Sequence, residues 1–215
     1  MQITITYDNT STNSAYIADW GFSCYIETEE HKIIFDTGQN GEILRKNMRK
    51  LKINPKLADI LFISHNDFDH IGGLSWLLNQ NKTASLYIPQ NLHGIKNHKN
   101  LHFIESPQKI AAEIYSTGIV AGDGKWEQAV VLKTTQGAVI LVGCSHPGLK
   151  PFLDFAQTIA PLYAIIGGFH GFSNYQMLEN FQLICPTHCT QNRSEIKKQY
   201  PHTTIDGGVG KVLVI

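Results

Sequence analysis

The sequence predicts an α/β fold in which helices cover sheets of short strands. Apolar β-rich runs, such as ITITY at 3–7 and KIIFD at 32–36, alternate with segments of helical periodicity, such as GEILRKNMRKL from Gly41. No linker or low-complexity stretch separates the halves of the 215-residue chain. We therefore expect a single domain spanning residues 1–215.

The remaining elements follow the same alternation along the chain. Strands are predicted at 3–7, 22–27, 32–36, 60–64, 85–89, 129–134, 138–143, 163–168, 181–186 and in the final KVLVI. Helices are predicted from Gly41, from Ile71, from Leu149 and from Arg193. The segment AVVLKTTQGAVILVG has two strands around a Thr-Gln-Gly turn, which indicates a hairpin.

The balance of charges favours a small-molecule substrate over a polyanion. Eighteen basic and eighteen acidic residues cancel, so no nucleic acid partner is expected. A small anionic substrate still fits, because a local metal site supplies positive charge that overall counting misses.

Compartment and membrane character are predicted from three further features. The opening MQITITYDN alternates as a strand and does not resemble a secretory signal, and no run reaches membrane-spanning length. Four cysteines without a CxxC pair are typical of a reducing interior. We expect a cytoplasmic protein without a membrane contact, and its oligomeric state is not defined by these patterns.

The most informative segment is ADILFISHNDFDHIGGLSWL, an apolar strand followed by a polar loop and a helix. Between strand and helix lie four potential metal ligands in six positions, His65, Asp67, Asp69 and His70. Such a loop on a rigid scaffold displays converging imidazoles and carboxylates, as metal ions require. The alternative is a polar loop whose Asn and Asp residues cap the next helix, but a cap uses one Asp and leaves two histidines unexplained.

Three further histidines each follow an apolar strand. VILVGCSHPG contains His146, YAIIGGFHG contains His170, and LICPTHCT contains His188. Taken singly, each could be a surface or hydrogen-bonded histidine. Together they predict a shared site, since strand ends on one side of an open sheet are where α/β folds usually place their sites.

These motifs resemble those of the metallo-β-lactamase superfamily. SHNDFDHIGG resembles the HxHxDH signature with Asp at the second ligand position, while GCSHPG and PTHCT resemble the motifs of the later ligand histidines. WGFSCYIE and KIIFDTG resemble the paired opening strands, and the whole set is most similar to the branch named after dihydropterin-ribofuranosylaminobenzene phosphate synthase. The resemblance implies a four-layer αββα sandwich with a metal site at the edge of its two sheets.

The resemblance also implies a ligand set and a reaction. His65, Asp67 and His146 would bind one metal, and Asp69, His70 and His188 a second, each with a position open for water. The implied activity is that of a metal-dependent hydrolase, in which a metal-bound hydroxide attacks a phosphoester, thioester or lactone. Asp69 would also orient that hydroxide as a catalytic residue.

Four departures from the family pattern affect this interpretation. Asp67 in place of histidine is a harder ligand, so iron or manganese stands beside zinc as a candidate, with one or two ions. No bridging Asp follows the third motif, and His170, which cannot bridge two cations, is a terminal ligand or a substrate contact. Trp20-Gly21 replaces the family's opening HG, and Gln191 ends its THCTG.

Asp36 and two cysteines also fall beside these motifs. Asp36 either accepts hydrogen bonds from the ligand loop and orients a histidine, or is a turn residue before Thr-Gly. Cys144 and Cys189 are interpreted as small buried residues, with soft metal ligation as the alternative. Two other functions remain open: a di-iron redox or pterin-precursor condensing enzyme of the same fold, and a non-catalytic metal- or ligand-binding module.

Overall fold

The structure, a computed structural model, describes all 215 residues and divides into two compact units. The first unit comprises Met1–Ile104 and Gly207–Ile215, and the second comprises Glu105–Asp206. Each unit has one large mixed sheet with its own helices. None of the helices combines the length and the apolar character that crossing a membrane requires.

The first unit is built on a seven-stranded sheet. Its strands are β1 (Gln2–Tyr7), β2 (Ser23–Glu27), β3 (Lys32–Phe35), β4 (Ile60–Phe62), β5 (Ser85–Pro89), β6 (Leu101–Ile104) and β15 (Val212–Val214). Its helices are α1 (Gly41–Lys50), α2 (Phe68–Ile71) and α3 (Leu74–Gln80), with a 3-10 turn at Pro55–Leu57. The strand order is β15-β1-β2-β3-β4-β5-β6.

The direction of the strands in this sheet changes at β3. Strands β15, β1, β2 and β3 pair antiparallel, whereas β3, β4, β5 and β6 pair parallel. Because parallel strands end at the same edge, the residues that follow β3 and β4 are brought together there. Helix α1 begins where the Asn40 side chain accepts hydrogen bonds from the N–H groups of Glu42 and Ile43, and it buries Leu44 and Met48.

The second unit has a six-stranded sheet and a two-stranded ribbon. Its strands are β7 (Gln108–Ala111), β8 (Ile114–Ser116), β9 (Val120–Gly122), β10 (Lys125–Glu127), β11 (Val130–Thr134), β12 (Gly137–Val142), β13 (Leu162–Gly168) and β14 (Leu183–Thr187). Its helices are α4 (Lys150–Ile159) and α5 (Arg193–Gln199), with a 3-10 turn at Tyr175–Leu178. The sheet order is β14-β13-β12-β11-β8-β7, and β9 pairs with β10.

Burial explains why the central strands of the second unit read as continuous apolar runs. All six residues of β12 are buried, since this strand pairs antiparallel with β11 and parallel with β13. Helix α4 packs Phe152, Leu153 and Ala156 into the same core. The hairpin predicted for AVVLKTTQGAVILVG is present, with Thr134 paired to Gly137 across the turn.

The structure corrects two sequence predictions. The helix predicted from Ile71 is interrupted: α2 ends at Ile71, and α3 begins at Leu74. A Cβ on Gly72 would lie 1.9 Å from the Gln39 carbonyl oxygen, so the glycines mark a close backbone approach. The strands between residues 101 and 127 were not predicted, because they are short and half exposed.

We expect Gly72→Ala to destabilise the protein, since backbone rather than a flexible side chain occupies the position of the added methyl group. Overpacking of this kind costs about 1–3 kcal/mol in the free energy of unfolding. Gly171→Ala is the matched control, because its Cβ would meet only the Gln191 side chain at 3.7 Å. Urea unfolding of both variants measures the difference, and equal stabilities would contradict the close approach.

Candidate metal centre

In the first unit, four of the predicted ligands lie on the ligand loop, residues 64–70, which follows β4 and includes the first three residues of α2. His65 and His70 are fully buried, and their ring centroids are 4.1 Å apart. Asp67 Oδ2 lies 3.7 Å from His65 Nε2. The loop therefore brings two imidazoles and a carboxylate together, which is a donor set suited to a transition-metal ion.

The capping alternative for this loop does not hold for Asp67. Asp67 occupies the position before the first turn of α2, but its side chain accepts no capping hydrogen bond from that helix. Its carboxylate faces His65 instead. The orientation suits a ligand, and Asp67 contributes to the start of the helix only through its backbone carbonyl, which accepts the N–H groups of His70 and Ile71.

Asp36, directly after β3, lies beneath the ligand loop as a fully buried carboxylate. Its Oδ1 accepts a hydrogen bond from the Ser64 N–H at 2.7 Å. Its Oδ2 accepts one from the Ser64 hydroxyl at 2.7 Å and is 2.7 Å from His70 Nδ1. Three donors therefore converge on this carboxylate, an arrangement that suits the ionised form, which only accepts.

This network assigns the protons of both buried imidazoles. His70 Nδ1 must carry the proton that it shares with Asp36. Because the Ser64 hydroxyl donates to Asp36, its oxygen is left to accept from His65 Nδ1 at 2.8 Å. Both histidines then present the lone pair of Nε2, which is the form that binds a metal.

The backbone of the ligand loop is held from two further sides. The His70 carbonyl accepts hydrogen bonds from the Thr37 N–H and the Thr37 hydroxyl, both at 2.8 Å. The Asp69 carbonyl accepts one from the Phe22 N–H at 3.3 Å. A Cβ on Gly21 would lie 2.5 Å from that same carbonyl oxygen, so this approach requires glycine.

Tyr7 supports the turn that follows Asp36. A Cβ added to Gly38 would lie only 2.5 Å from atoms of the Tyr7 ring, so the ring packs directly against this glycine. The Tyr7 hydroxyl donates a hydrogen bond to the Asp19 carboxylate. Burial, together with the hydrogen bond and the negative charge of Asp19, raises the pKa of the Tyr7 phenol well above its usual value. The phenol therefore remains a neutral donor at physiological pH.

In the second unit, three histidines follow the ends of adjacent parallel strands. His146 follows β12, His170 follows β13 and His188 follows β14, and these strands pair in that order. The ring centroids of His146 and His170 are 5.0 Å apart. The sequence argument from strand ends therefore describes the arrangement within this unit.

Glu127, at the end of β10, organises the loop that carries His146. Its carboxylate is fully buried. Oε1 accepts the backbone N–H groups of Gly143, Cys144 and Ser145 at 2.9–3.1 Å, and Oε2 accepts that of His146 at 2.9 Å. Charge-assisted hydrogen bonds of this kind are stronger than neutral ones, so Glu127 determines where His146 emerges from the sheet.

Hydrogen bonds also fix the loops of His170 and His188. The His170 carbonyl accepts the Gln191 N–H at 3.0 Å, and the His188 carbonyl accepts a guanidinium N–H of Arg193 at 2.7 Å. Cys189 Sγ lies 3.8 Å from the Cys144 carbonyl oxygen. The two histidine loops are thus held through their backbone carbonyls, that of His170 by a backbone donor and that of His188 by a side-chain donor.

Several residues at these loops have an unusual backbone. Asp36 (φ 51°), Ser145 (φ 60°), His170 (φ 45°) and His188 (φ 47°) all lie in the left-handed region that favours glycine. A residue with a side chain costs about 1–2 kcal/mol there. Such conformations cluster at functional sites, where the surrounding structure enforces them.

The predicted residues are thus placed in two sets, one in each unit. Side chains with potential ligand atoms are His65 and His70 in the first unit and Cys144, His146 and His188 in the second. Cys144 is buried, as expected of a small core residue, but it also offers its Sγ as a ligand atom. Asp36 makes the hydrogen bonds to the ligand loop that one of its two interpretations described.

Sequence reasoning missed three residues that contact these sets: Ser64, Trp20 and Glu127. Ser64 lies in the motif itself, directly before His65, and its position next to a ligand is a signal that could have been used. The Trp20 indole N–H donates to Asp69 Oδ2 at 2.7 Å. Glu127 has no sequence signal, because its partners are backbone N–H groups that any residue supplies.

The chain belongs to the metallo-beta-lactamase superfamily, whose sequence model matches residues 21–150. The match includes the whole ligand loop and the loop of His146. It confirms the resemblance on which the ligand assignment was based.

Full-length relatives extend this result. The chain is 28% identical to an uncharacterized protein of Methanocaldococcus jannaschii, with 99% of this chain and 100% of the relative covered. It is 25% identical to the 7,8-dihydropterin-6-methyl-4-(beta-D-ribofuranosyl)-aminobenzene-5'-phosphate synthase of the same organism, covering 89% of this chain and 88% of the relative. The second relative confirms the predicted similarity to that branch.

Among solved structures, the chain resembles Tm1679, described as a metal-dependent hydrolase of the beta-lactamase superfamily. The TM-score is 0.79 at 25% identity, and the alignment covers 100% of this chain and 99% of the other. The predicted α/β class of the metallo-β-lactamase type is therefore confirmed. Membership of this superfamily implies binding of a divalent metal, and the imidazole and carboxylate donors described above are chemically suited to it.

We expect Asp36→Asn to weaken both the fold and metal binding, because an amide can no longer accept hydrogen bonds at two oxygens. The loss for a buried, charge-assisted hydrogen bond is about 1.5–3 kcal/mol in stability. Loss of such an outer contact lowers metal affinity about 10–100-fold. Urea unfolding of the metal-free protein and calorimetric titration with Zn²⁺ measure the two effects.

Asp59→Asn is the matched control for this prediction. Asp59 also accepts hydrogen bonds from a histidine, His31, and from a backbone N–H, that of Lys32, but its side chain is 45% exposed. Its replacement should leave Zn²⁺ affinity unchanged. Equal Zn²⁺ affinities of the Asp36 and Asp59 variants would contradict the orienting role of Asp36.

Proposed function

We propose that the protein is a metal-dependent hydrolase of small ester-type substrates. The observation that carries this proposal is the hydrogen-bond network of Asp36, which leaves Nε2 of both His65 and His70 able to bind a metal. Apolar residues often stabilise a buried site as well as a charged network does, so the requirements of folding alone do not account for this set of polar groups.

The proposed ligands follow the motifs that the superfamily shares. His65, Asp67 and His146 would hold one divalent ion, and Asp69, His70 and His188 a second. Zinc is the first candidate, with iron and manganese as alternatives because Asp67 is a carboxylate. A bound metal would supply hydroxide near neutral pH by lowering the pKa of its water to about 7.

The chain's own residues would direct that hydroxide. Asp69 lies at the second position of α2 and would orient the nucleophile through its carboxylate. His170, adjacent to His146, would act as a terminal ligand or contact the substrate. The substrate would be a small phosphoester, thioester or lactone, and a cationic metal centre would favour an anionic one. A cytoplasmic location stays a prediction.

A second candidate is a condensing enzyme that acts on a pterin precursor. It is favoured by the name of the 25% identical relative, which is a synthase. Both candidates need the same metal ligands, so product analysis distinguishes them. A hydrolase releases an acid from an ester in water alone, whereas a condensing enzyme needs a second substrate.

The first test is metal content by elemental mass spectrometry, followed by assays on a phosphodiester, a thioester and a lactone. We expect about two metal ions per chain, as in two-metal hydrolytic sites, and hydrolysis of at least one substrate class. A chelator should abolish turnover, and added Zn²⁺, Mn²⁺ or Fe²⁺ should restore it. Hydrolysis that survives exhaustive chelation would exclude the metal-dependent reaction.

Asp69→Asn should remove most of the hydrolytic activity while the fold is retained. Loss of a group that orients the nucleophile lowers kcat about 10²–10⁴-fold. Asp154→Asn, on the exposed face of α4 beside Lys150, is a control that should retain full activity. Steady-state kinetics and thermal unfolding measure the two properties, and an unchanged kcat in the Asp69 variant would remove Asp69 from the reaction.

A further inference from the structure

The Trp20 side chain makes a polar contact that neither the superfamily motifs nor the proposed ligand set explains. Its indole N–H donates to Asp69 Oδ2 at 2.7 Å, across 49 residues of sequence. The side chain is 51% exposed. The indole has a single polar group, its N–H, and the hydrogen bond to Asp69 therefore directs the whole side chain.

The backbone around Trp20 fixes the direction of the indole. The Gly21 N–H donates to Asn9 Oδ1 at 3.1 Å, and the Phe22 N–H donates to the Asp69 carbonyl at 3.3 Å. Gly21 has φ 134°, and a Cβ there would lie 2.5 Å from the Asp69 carbonyl oxygen. Segment 20–22 therefore runs directly along Asp69. Phe22 contacts the Asp69 backbone, and Trp20 contacts the Asp69 side chain.

The chemistry of the two groups defines the consequence of the contact. An indole N–H only donates, and it carries no charge that changes between pH 5 and 8. The hydrogen bond from Trp20 to Oδ2 restrains rotation of the Asp69 carboxylate. A carboxylate held in this way keeps one orientation in the loop that carries the proposed ligands.

We propose that Trp20 is a positioning residue, which holds the Asp69 carboxylate through Oδ2 and so fixes its orientation toward the metal and the attacking water. The proposal rests on the proposed hydrolytic function. It assigns to Trp20 an effect on kcat through Asp69, not a contact that binds the substrate. The replacement of the family's opening HG by Trp20-Gly21 thus becomes a functional feature of this chain.

The contact can be tested first in the metal-free protein. The chain has three tryptophans, so a ¹H–¹⁵N spectrum of the metal-free protein should show three indole signals. Trp20→Phe identifies the signal of Trp20 by its loss. Asp69→Ala should shift this signal and increase its exchange with water, while the signal of Trp126, whose exposed side chain lies on β10, should stay in place. An unshifted Trp20 signal would overturn the proposal.

The role of the contact is tested with metal and substrate. Trp20→Phe removes the N–H but keeps an aromatic side chain, so we expect kcat to fall about tenfold, with KM changed by about twofold or less. Zn²⁺ titration of the wild-type protein should move the Trp20 indole signal. Trp126→Phe is the control, with wild-type kcat and Zn²⁺ affinity.

The outcomes separate this proposal from the proposed function. A Trp20→Phe variant with raised KM and full kcat would make the indole a substrate contact and overturn the positioning role. A wild-type protein that binds no metal and hydrolyses none of the three substrate classes would instead remove the proposed function. A wild-type enzyme that hydrolyses, beside a Trp20→Phe variant of equal kcat and KM, would remove the role of Trp20 alone.

Discussion

The buried carboxylate of Asp36 is the interaction on which the first unit depends. An ionised carboxylate without partners in the interior is strongly destabilising, so its three donors on Ser64 and His70 must remain in place. A rearrangement of the ligand loop would therefore leave the Asp36 carboxylate buried without its hydrogen-bond donors or expose it to solvent. The same hydrogen bonds therefore stabilise the fold and orient the imidazoles, although Asp36 itself is not among the proposed metal ligands.

The second unit uses a buried carboxylate differently. Glu127 accepts four backbone N–H groups, from Gly143 to His146, and so fixes the path of a loop without restricting the side chains of that loop. Asp36 contacts an imidazole directly and assigns its proton. Glu127 therefore determines the position of a histidine, and Asp36 determines the protonation state of one. A metal ligand needs both to be set.

Sequence reasoning predicted the parts of the fold and site that have a local signature. Strands such as β12 and β13 are continuous apolar runs, and the histidines after them were recognised because ligand-type side chains recur at strand ends. The break between α2 and α3 depends on the approach of Gln39 to Gly72, which joins segments distant in sequence. Glu127 was missed for the same physical reason, since its backbone partners leave no pattern of side chains.

The backbone of His170 bears on whether that residue is functional. Its φ of 45° is one that glycine adopts without strain, and the hydrogen bond to its carbonyl from the Gln191 N–H needs no imidazole. A glycine would therefore satisfy the turn at lower cost, by about 1–2 kcal/mol. The same argument applies to His188 at φ 47°. The backbone therefore does not require an imidazole at either position, which is consistent with the proposed role of both side chains in binding a ligand.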